Sequence, residues 1–372
     1  MDRIYLDNAA TTPLIPEVIQ AMHEWHQQFF GNPSSIHHFG QIARARLEQA
    51  RDEIADFLAL PSKNLFFTSG ATEANNWILK NFARQFKDKH ILISQLEHPS
   101  VFKTGQYLKD NGFSVDFIEP DEKGRITVRQ IEKVLRKNTA LISVMAVNNE
   151  TGIINPVAEI GHFCREQNIK FHCDAVQAFG KVQIDLSEIS ADFLTVSAHK
   201  VYGPKGVGAV YLKEPALLEP FLHGGDQEAG RRAGTENMAG IVGFASAVKW
   251  LKKQNNQWAT VKQMQNFFEN EIKKIYPQVQ IIGQETERSP FISQIAFPGY
   301  DNQNLVVLFD LNGLAVSVGS ACSSGALKPS RVLQKMNLPW SIVNSAIRFS
   351  FSHLTGQSEL ERALQIVKKV LN

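Results

Sequence analysis

The sequence predicts an α/β protein built around a mostly parallel, seven-stranded sheet. Between about residue 60 and residue 212, short apolar runs rich in β-branched residues alternate with amphipathic segments of helical period. Several of the runs have no polar face, which is typical of parallel strands that are covered by helices on both sides. The chain has 372 residues, of which 43% are hydrophobic and 20% charged, and this is enough material for a large sheet domain and a smaller companion.

The apolar runs define the predicted strands. They are NLFFT (64–68), HILIS (90–94), SVDFI (114–118), ALISVMAV (140–147), KFHCD (170–174), DFLTVS (192–197) and VGAVYL (207–212). Only a Gly/Pro loop separates the last two runs, and such a short connection is compatible with an antiparallel pair. Ligands of parallel sheets bind at the carboxyl ends of the strands. The polar residues at or just after the ends of predicted strands there are Glu97, His98, Asn149, Asp174 and Lys200.

The last third of the chain has a different pattern. Two long helical segments precede shorter α and β pieces and a final helix that begins near Ser358. We therefore predict a large α/β domain over residues 13–255 and a smaller α+β domain formed by residues 1–12 and 256–372. The small domain would carry a Gly/Ser-rich loop around Cys322.

Composition argues against several classes of function. The formal net charge is only +2 and no basic run is interleaved with aromatic residues, so neither nucleic acid nor an anionic membrane is an expected partner. The first residues lack the pattern of a signal peptide, and the longest apolar runs are too short to span a bilayer. The three cysteines do not form a disulfide framework. A cytoplasmic protein is expected.

The string FTSGATEANN, residues 67–76, describes a strand that leads directly into a helix. Free backbone N–H groups at a helix start, together with the hydroxyls of Ser69 and Thr72, form a suitable anion site. A plain helix cap also explains the string. No GxxxxGK[ST] pattern is present, so a P-loop nucleotide site is not supported.

A carboxylate and an amine follow two other predicted strands. Burial of Asp174 behind an apolar strand would cost free energy without a cationic partner, which a bound ligand, a structural arginine or a helix cap would provide. Desolvation at the end of a strand would lower the pKa of Lys200 and make its amine a nucleophile. The alternative is a lysine whose amine extends from the sheet edge into solvent.

Together these residues meet the needs of pyridoxal phosphate. An amine binds its aldehyde, a carboxylate keeps its ring nitrogen protonated, and a helix start binds its phosphate. His98, between a strand and Pro99, would stack on the ring and transfer protons. A capping role for His98 is the alternative.

Cys322 lies in the string SVGSACSSGALKPS, residues 317–330, whose small side chains offer little to pack. Such a loop is expected to be mobile, and about six residues on each side would let the thiol travel at most about 20 Å. An inert loop thiol is the alternative. Cys164 and Cys173 lie in helix and strand patterns and are predicted core residues.

Assembled in order, these motifs make the chain resemble the cysteine desulfurases, fold-type-I pyridoxal-phosphate enzymes, and above all the branch with a long mobile cysteine loop. The resemblance covers nearly the whole chain, and ten motifs in this order with matching spacing are specific. They are YLDNAATTP, GNPSSIHHFG, FTSGATEANN, LEHPSV, VNNETG, HCDAVQAFGK, SAHKVYGPKGVGA, GGDQEAGRRAGTEN, GSACSSGALKPS and IRFSFS.

The resemblance implies how the cofactor is held. Lys200 would bind its aldehyde covalently, Asp174 would pair with the pyridine nitrogen, and Gln177 would hydrogen-bond the phenolic oxygen. His98 would stack on the ring and act in proton transfer. The residues implied to hold the phosphate are Ala71, Thr72, Ser197 and His199, with Thr235 reaching the phosphate of a neighbouring subunit in a homodimer.

The resemblance also implies the reaction. Asn149 and Arg348 would bind the carboxylate of L-cysteine, and arginine is suited to such a bidentate interaction. Cys322 would then take the sulfur as a persulfide and leave L-alanine. The sulfur would serve iron–sulfur cluster assembly, tRNA thiolation or another acceptor. The resembling enzymes have a C-terminal tail that helps dock the iron–sulfur scaffold protein, and its absence after Asn372 leaves that partner open.

Two other positions differ from the frequent pattern of the resembling enzymes, and two other functions fit part of it. Val176 replaces a frequent threonine and His353 a frequent arginine; no functional change is expected from either. An aminotransferase or a carbon–sulfur or carbon–selenium lyase would use the same cofactor residues, but a transaminase has no use for a travelling thiol. An inactive scaffold or sulfur carrier would not need the complete set of cofactor residues.

Overall fold

The structure, a computed structural model, describes residues 3–182, 188–254, 257–319 and 329–371. The strands within these ranges are β1 (Ile4–Tyr5), β2 (Leu65–Thr68), β3 (His90–Ser94), β4 (Val115–Ile118), β5 (Thr139–Ser143), β6 (Lys170–Asp174), β7 (Phe193–Ser197), β8 (Gly208–Leu212), β9 (Gln280–Ile281), β10 (Ile292–Ala296), β11 (Leu314–Ala315) and β12 (Ala346–Ser350). The α-helices there are α1 (Pro16–Gln28), α2 (His38–Phe57), α3 (Ala71–Gln85), α4 (Pro99–Asp110), α5 (Val128–Glu132), α6 (Val157–Glu166), α7 (Met238–Lys253), α8 (Gln257–Ile275), α9 (Asn302–Leu311), α10 (Arg331–Lys335), α11 (Trp340–Val343) and α12 (Gln357–Leu371).

Seven strands form one sheet in the order β2-β8-β7-β6-β5-β3-β4. The neighbours from β7 to β4 are all parallel, whereas β8 is antiparallel to both β7 and β2. The short loop between β7 and β8 forces this reversal, because a parallel pair needs a crossover of a dozen or more residues. The prediction of a mostly parallel, seven-stranded sheet is confirmed.

One predicted strand is longer than the observed one. The run at 140–147 was expected to be a strand throughout, but β5 ends at Ser143. The backbone N–H groups of Val144 and Ala146 still donate to carbonyls of β6, those of His172 and Asp174, at 3.1 and 3.0 Å. On the other side β3 has already ended at Ser94, so the apolar run leaves the sheet and enters the loop that carries Asn149.

Helices cover both faces of the sheet, and this explains why several of the predicted strands have no polar face. Successive residues of β7 point to opposite sides, so Phe193 packs in the layer of α3 and α4 while Leu194 packs in the layer of α2, α6 and α7. The other strand residues follow the same alternation, with Phe171 of β6 in the second layer. The sheet is therefore buried on both faces, as parallel sheets usually are.

A second core lies in the last third of the chain. Antiparallel strands in the order β12-β10-β9 pack with α8, α9 and α12 around Phe268, Phe297 and Phe349. β1 pairs in parallel with β11, and this brings Ile4 and Leu6 into the same core. We propose the division into residues 13–255 and residues 1–12 with 256–372, and the two separate cores support it. No helix in the described ranges is long and apolar enough to cross a membrane.

Candidate active site

The carboxyl ends of β6 and β7 and the start of α3 border a cavity of about 490 Å³. Ten of the twelve predicted site residues line it, namely Ala71, Thr72, His98, Asn149, Asp174, Gln177, Ser197, His199, Lys200 and Arg348. Thr235 is exposed to solvent and is not part of this lining. Cys322 lies outside the described residues. Most of the candidate residues therefore lie together around one cavity.

Lys200 is the last residue of a 3₁₀ turn that directly follows β7. Its Nζ donates to the backbone carbonyls of Ala9 and Ala10, at 2.8 and 2.6 Å. These carbonyls belong to the N-terminal loop after β1, which closes one side of the cavity. The amine therefore lies at the cavity wall, and the alternative of a lysine extended into solvent is wrong.

Asp174 is the last residue of β6 and is 4% exposed. Its carboxylate accepts hydrogen bonds from Asn75 Nδ2 at 2.9 Å and from the N–H of Val176 at 3.0 Å, and neither donor carries a charge. Burial raises the pKa of Asp174, while these two hydrogen bonds and the charge of Lys200 lower it. A buried carboxylate that faces a cavity and receives only neutral donors is suited to a cationic ring nitrogen.

His98 both caps a helix and lines the cavity. It is the N-cap of α4, and its Nδ1 accepts from the N–H of Ser100 at 3.2 Å. The neutral ring consequently carries its proton on Nε2. Burial and the charges of Lys200 and Arg331 lower the pKa of His98 to about 4, so the imidazole is neutral near pH 7. His98 therefore does cap a helix, as the alternative had it, and its ring lines the cavity at the same time.

The start of α3 presents uncapped backbone N–H groups to the cavity. Gly70 has φ +152° and provides no side-chain cap. Glu73 also lines the cavity, but it forms an ion pair with Arg232 at 2.9 Å and accepts from the N–H of Ser69 at 2.9 Å. The negative charge at this end is therefore compensated. Lys205, which was not predicted as a site residue, also lines the cavity and adds a cation.

Arg348 lies on β12 and is 2% exposed. Its guanidinium donates to the carbonyl of Asn149 and to Asp7 Oδ1, both at 2.8 Å. Arg348 Nε and Asn149 Oδ1 are buried and lack a hydrogen-bond partner among the described residues. Such orphaned polar atoms carry a free-energy cost that a small polar ligand would remove. This end of the cavity is suited to a carboxylate-bearing substrate.

Four further charged residues near the cavity are buried or half-buried. Glu97 was expected at a strand end, whereas Glu150, Lys181 and Arg331 were not predicted as site residues. Glu97 is fully buried, its Oε1 accepts from Met145 N at 2.7 Å, and burial raises its pKa well above the ordinary value. Arg331 donates to the carbonyls of Gln95 and Glu97 and stacks over Phe102. No local sequence pattern identifies the tertiary partners of these residues.

These residues fit pyridoxal phosphate. The cavity offers an amine for its aldehyde, a buried carboxylate for its ring nitrogen and the uncapped start of α3 for its phosphate. Asn75 Oδ1, next to the carboxylate of Asp174, is another buried atom without a hydrogen-bond partner in the described part of the chain. Among the described residues, no cluster of three or more His, Cys, Asp or Glu side chains is placed to hold a metal ion.

Comparison with known proteins agrees with this geometry. A model of the class-V aminotransferase family matches residues 4–363. A protein of Dictyoglomus turgidum named cysteine desulfurase IscS is 39% identical over 99% of this chain and 94% of its own length. A solved structure described as a NifS-like protein is 33% identical, with a TM-score of 0.92 over 99% of both chains.

A further solved structure, described as SspA in complex with cysteine, is 34% identical, with a TM-score of 0.83 over 94% of this chain and 98% of that one. The residues that the family model matches include the whole cavity lining. The chain therefore belongs to the cysteine desulfurases, pyridoxal-phosphate-dependent enzymes of the class-V aminotransferase family.

Proposed function

We propose that the protein converts L-cysteine to L-alanine at this cavity and transfers the sulfur to Cys322, from which an acceptor protein takes it. The observation that carries the proposal is the convergence of the Lys200 amine, the Asp174 carboxylate and the His98 imidazole on one cavity. The structure described as SspA in complex with cysteine supports the choice of substrate.

Lys200, Asp174 and Gln177 would hold the cofactor. Bound pyridoxal phosphate supplies an aldehyde that reacts with amines and a ring that accepts electrons from the α-carbon of the substrate. Asp174 keeps the ring nitrogen protonated, because its buried carboxylate is a better partner for a cation than for a neutral group. Gln177 donates from Nε2, which in this structure reaches the carbonyl of Ala9 at 2.9 Å.

His98 and Lys200 would move the protons. With substrate bound, the Lys200 amine would be placed to accept the α-proton. Nε2 of the neutral His98 ring holds a proton that it can donate. Nδ1 accepts a hydrogen bond from the N–H of Ser100, and this fixes the orientation of the ring. Arg348 and Asn149 bind the substrate carboxylate and orient the α-carbon towards these groups.

Cys322 would receive the sulfur. Its thiolate attacks the substrate sulfur, the carbon–sulfur bond breaks, and the bonding pair leaves with the carbon that becomes the methyl group of alanine. Gly319, three residues earlier in the sequence, lines the cavity, which supports this assignment. The sulfur acceptor is a protein of iron–sulfur cluster assembly, of tRNA thiolation or of another sulfur-using pathway.

We further propose a cytoplasmic homodimer in which Thr235 of one subunit reaches the phosphate of the cofactor in the other. The exposed position of Thr235 away from the cavity of its own chain supports a role across an interface. Chemical cross-linking and analytical ultracentrifugation test the dimer. A protein that is not cross-linked to a second copy and that sediments as a monomer would contradict it.

Incubation with L-cysteine and a thiol reductant tests the proposed activity. The cofactor-loaded protein is expected to release L-alanine and sulfide in equal amounts. Cys322→Ala is expected to abolish both while the cofactor absorbance stays unchanged. Cys164→Ala, which removes a buried thiol of α6, is the matched control and should keep turning over. Full turnover by Cys322→Ala, or release of pyruvate in place of alanine, would contradict the proposal.

A further inference from the structure

Lys181 is a buried lysine for which the described residues provide no carboxylate partner. It is 6% exposed, and its Nζ donates to Gln177 Oε1 at 2.9 Å. The charged or titratable groups that face it among the described residues are Lys200, Arg348, His199 and His353. None of these is a carboxylate. Burial of an ammonium among cations costs free energy, so ion pairing among the described residues does not explain its position.

Two hydrogen bonds hold the Gln177 amide in one orientation. Lys181 Nζ donates to Gln177 Oε1 at 2.9 Å. At the opposite end, the amide nitrogen donates to the carbonyl of Ala9 at 2.9 Å, and a carbonyl only accepts, so both contacts agree on which atom is the oxygen. The same carbonyl accepts from Lys200 at 2.8 Å. Lys181, Gln177, Ala9 and Lys200 therefore form one connected chain.

We propose that Lys181 is a positioning residue that holds the Gln177 amide with its N–H₂ towards the cavity, where it donates to the phenolic oxygen of bound pyridoxal phosphate. The inference rests on the proposed function, in which Gln177 is the partner of that oxygen. Without the lysine, the carbonyl of Ala9, which it shares with Lys200, is the remaining described partner of the amide. A turned amide would present its own oxygen, which would repel the phenolic oxygen.

Lys181→Met tests the inference through the absorbance of the cofactor bound to Lys200, titrated against pH. A donor held against the phenolic oxygen stabilises its deprotonated form and so lowers the midpoint of this titration. Loss of the fixed donor is expected to raise the midpoint by about one pH unit, the effect of one hydrogen bond. An unchanged midpoint would overturn the inference.

The charge of Lys181 also lowers the midpoint through space, and a double-mutant cycle separates the two effects. If Lys181 acts through Gln177, Lys181→Met is expected to cause a clearly smaller rise in a Gln177→Ala background, where only the effect of its charge remains. If the same rise persists there, the effect is that of a charge alone and the positioning role is contradicted.

Unfolding of the cofactor-free protein by urea controls for a structural role. A methionine fills a similar volume, and replacing a buried charge with an apolar side chain is often neutral or stabilising. Lys181→Met is therefore expected to fold with unchanged or higher stability; if it does not fold, Lys181→Leu is measured in the same two backgrounds. Absence of any cofactor absorbance in the wild type would contradict the proposed function, whereas a normal absorbance with an unmoved midpoint contradicts only the role of Lys181.

Discussion

Burial decides the chemistry of single residues around the cavity. It lowers the pKa of His98 to about 4, raises that of Asp174 and lowers that of Lys181 well below its ordinary value. The sequence predicts that Asp174 lies at a strand end, because strand periodicity is a local property. It does not predict that Asn75, 99 residues away in the chain, donates to that carboxylate. Such partners come from tertiary packing.

Asp174→Asn keeps the size of the side chain and removes its charge. The ring nitrogen of the cofactor then loses the partner that keeps it protonated, so alanine formation is expected to fall by roughly a hundredfold or more. The rate of alanine release from the cofactor-loaded variant measures this. Asp192→Asn is the matched control, since Asp192 pairs with Lys170 away from the cavity. Equal rates for both variants would show that Asp174 is only structural.

The start of α3 shows what an element contributes beyond its residues. Gly70, and Glu73 in the first turn, allow the helix start to be predicted from the sequence. The sequence does not show that Arg232, 159 residues away, compensates the charge of Glu73 and so keeps the site open to an anion. The backbone at Gly70, with φ +152°, is one that side chains with a Cβ rarely adopt.

Gly70→Ala is expected to weaken binding of the cofactor. An added Cβ meets no atom within 4 Å, so the cost is backbone strain at the helix start and not a clash. Gly112→Ala is the matched control, because Gly112 also has a positive φ (+84°) and open space around it but lies in the turn after α4. Urea unfolding should show a similar loss of about 1 kcal/mol or more in both cofactor-free variants. Only Gly70→Ala is expected to raise the Kd for pyridoxal phosphate, and equal Kd values would contradict the phosphate site.

At the scale of the whole molecule, the sequence predicts the number and direction of the strands better than their arrangement. The seven apolar runs are recognisable because each is local. The pairing of β1 with β11 joins segments about 310 residues apart. Neither this pairing nor the strand order of the large sheet is encoded by a local pattern. Arg348 joins β12 of the second core to Asn149 of the sheet domain, so the cavity depends on both cores.

Buried histidines make the stability of the whole molecule depend on pH. His172 is fully buried, and burial lowers its pKa to about 3. In the unfolded chain its pKa is near 6.5, so between these values only the unfolded state takes up the proton. The free energy of unfolding therefore falls as the pH falls, by up to about 1.4 kcal/mol per pH unit for this residue.

Urea unfolding of the cofactor-free wild type and of His172→Asn, at pH 7.5, 6 and 5, measures this contribution. The wild type is expected to lose more stability than the variant on acidification, because only the wild type carries the titrating imidazole. Curves that run parallel from pH 7.5 to 5 would show that His172 takes up its proton equally in both states.

Borohydride reduction of the cofactor-loaded protein, followed by peptide mapping, tests the account most directly. The experiment must distinguish Lys200 from two nearby lysines, because Lys205 lines the cavity and Lys181 contacts Gln177. We expect the reduced cofactor on the peptide that contains Lys200, and at that residue alone. A label on Lys181 or Lys205, or an unlabelled Lys200, would contradict the account.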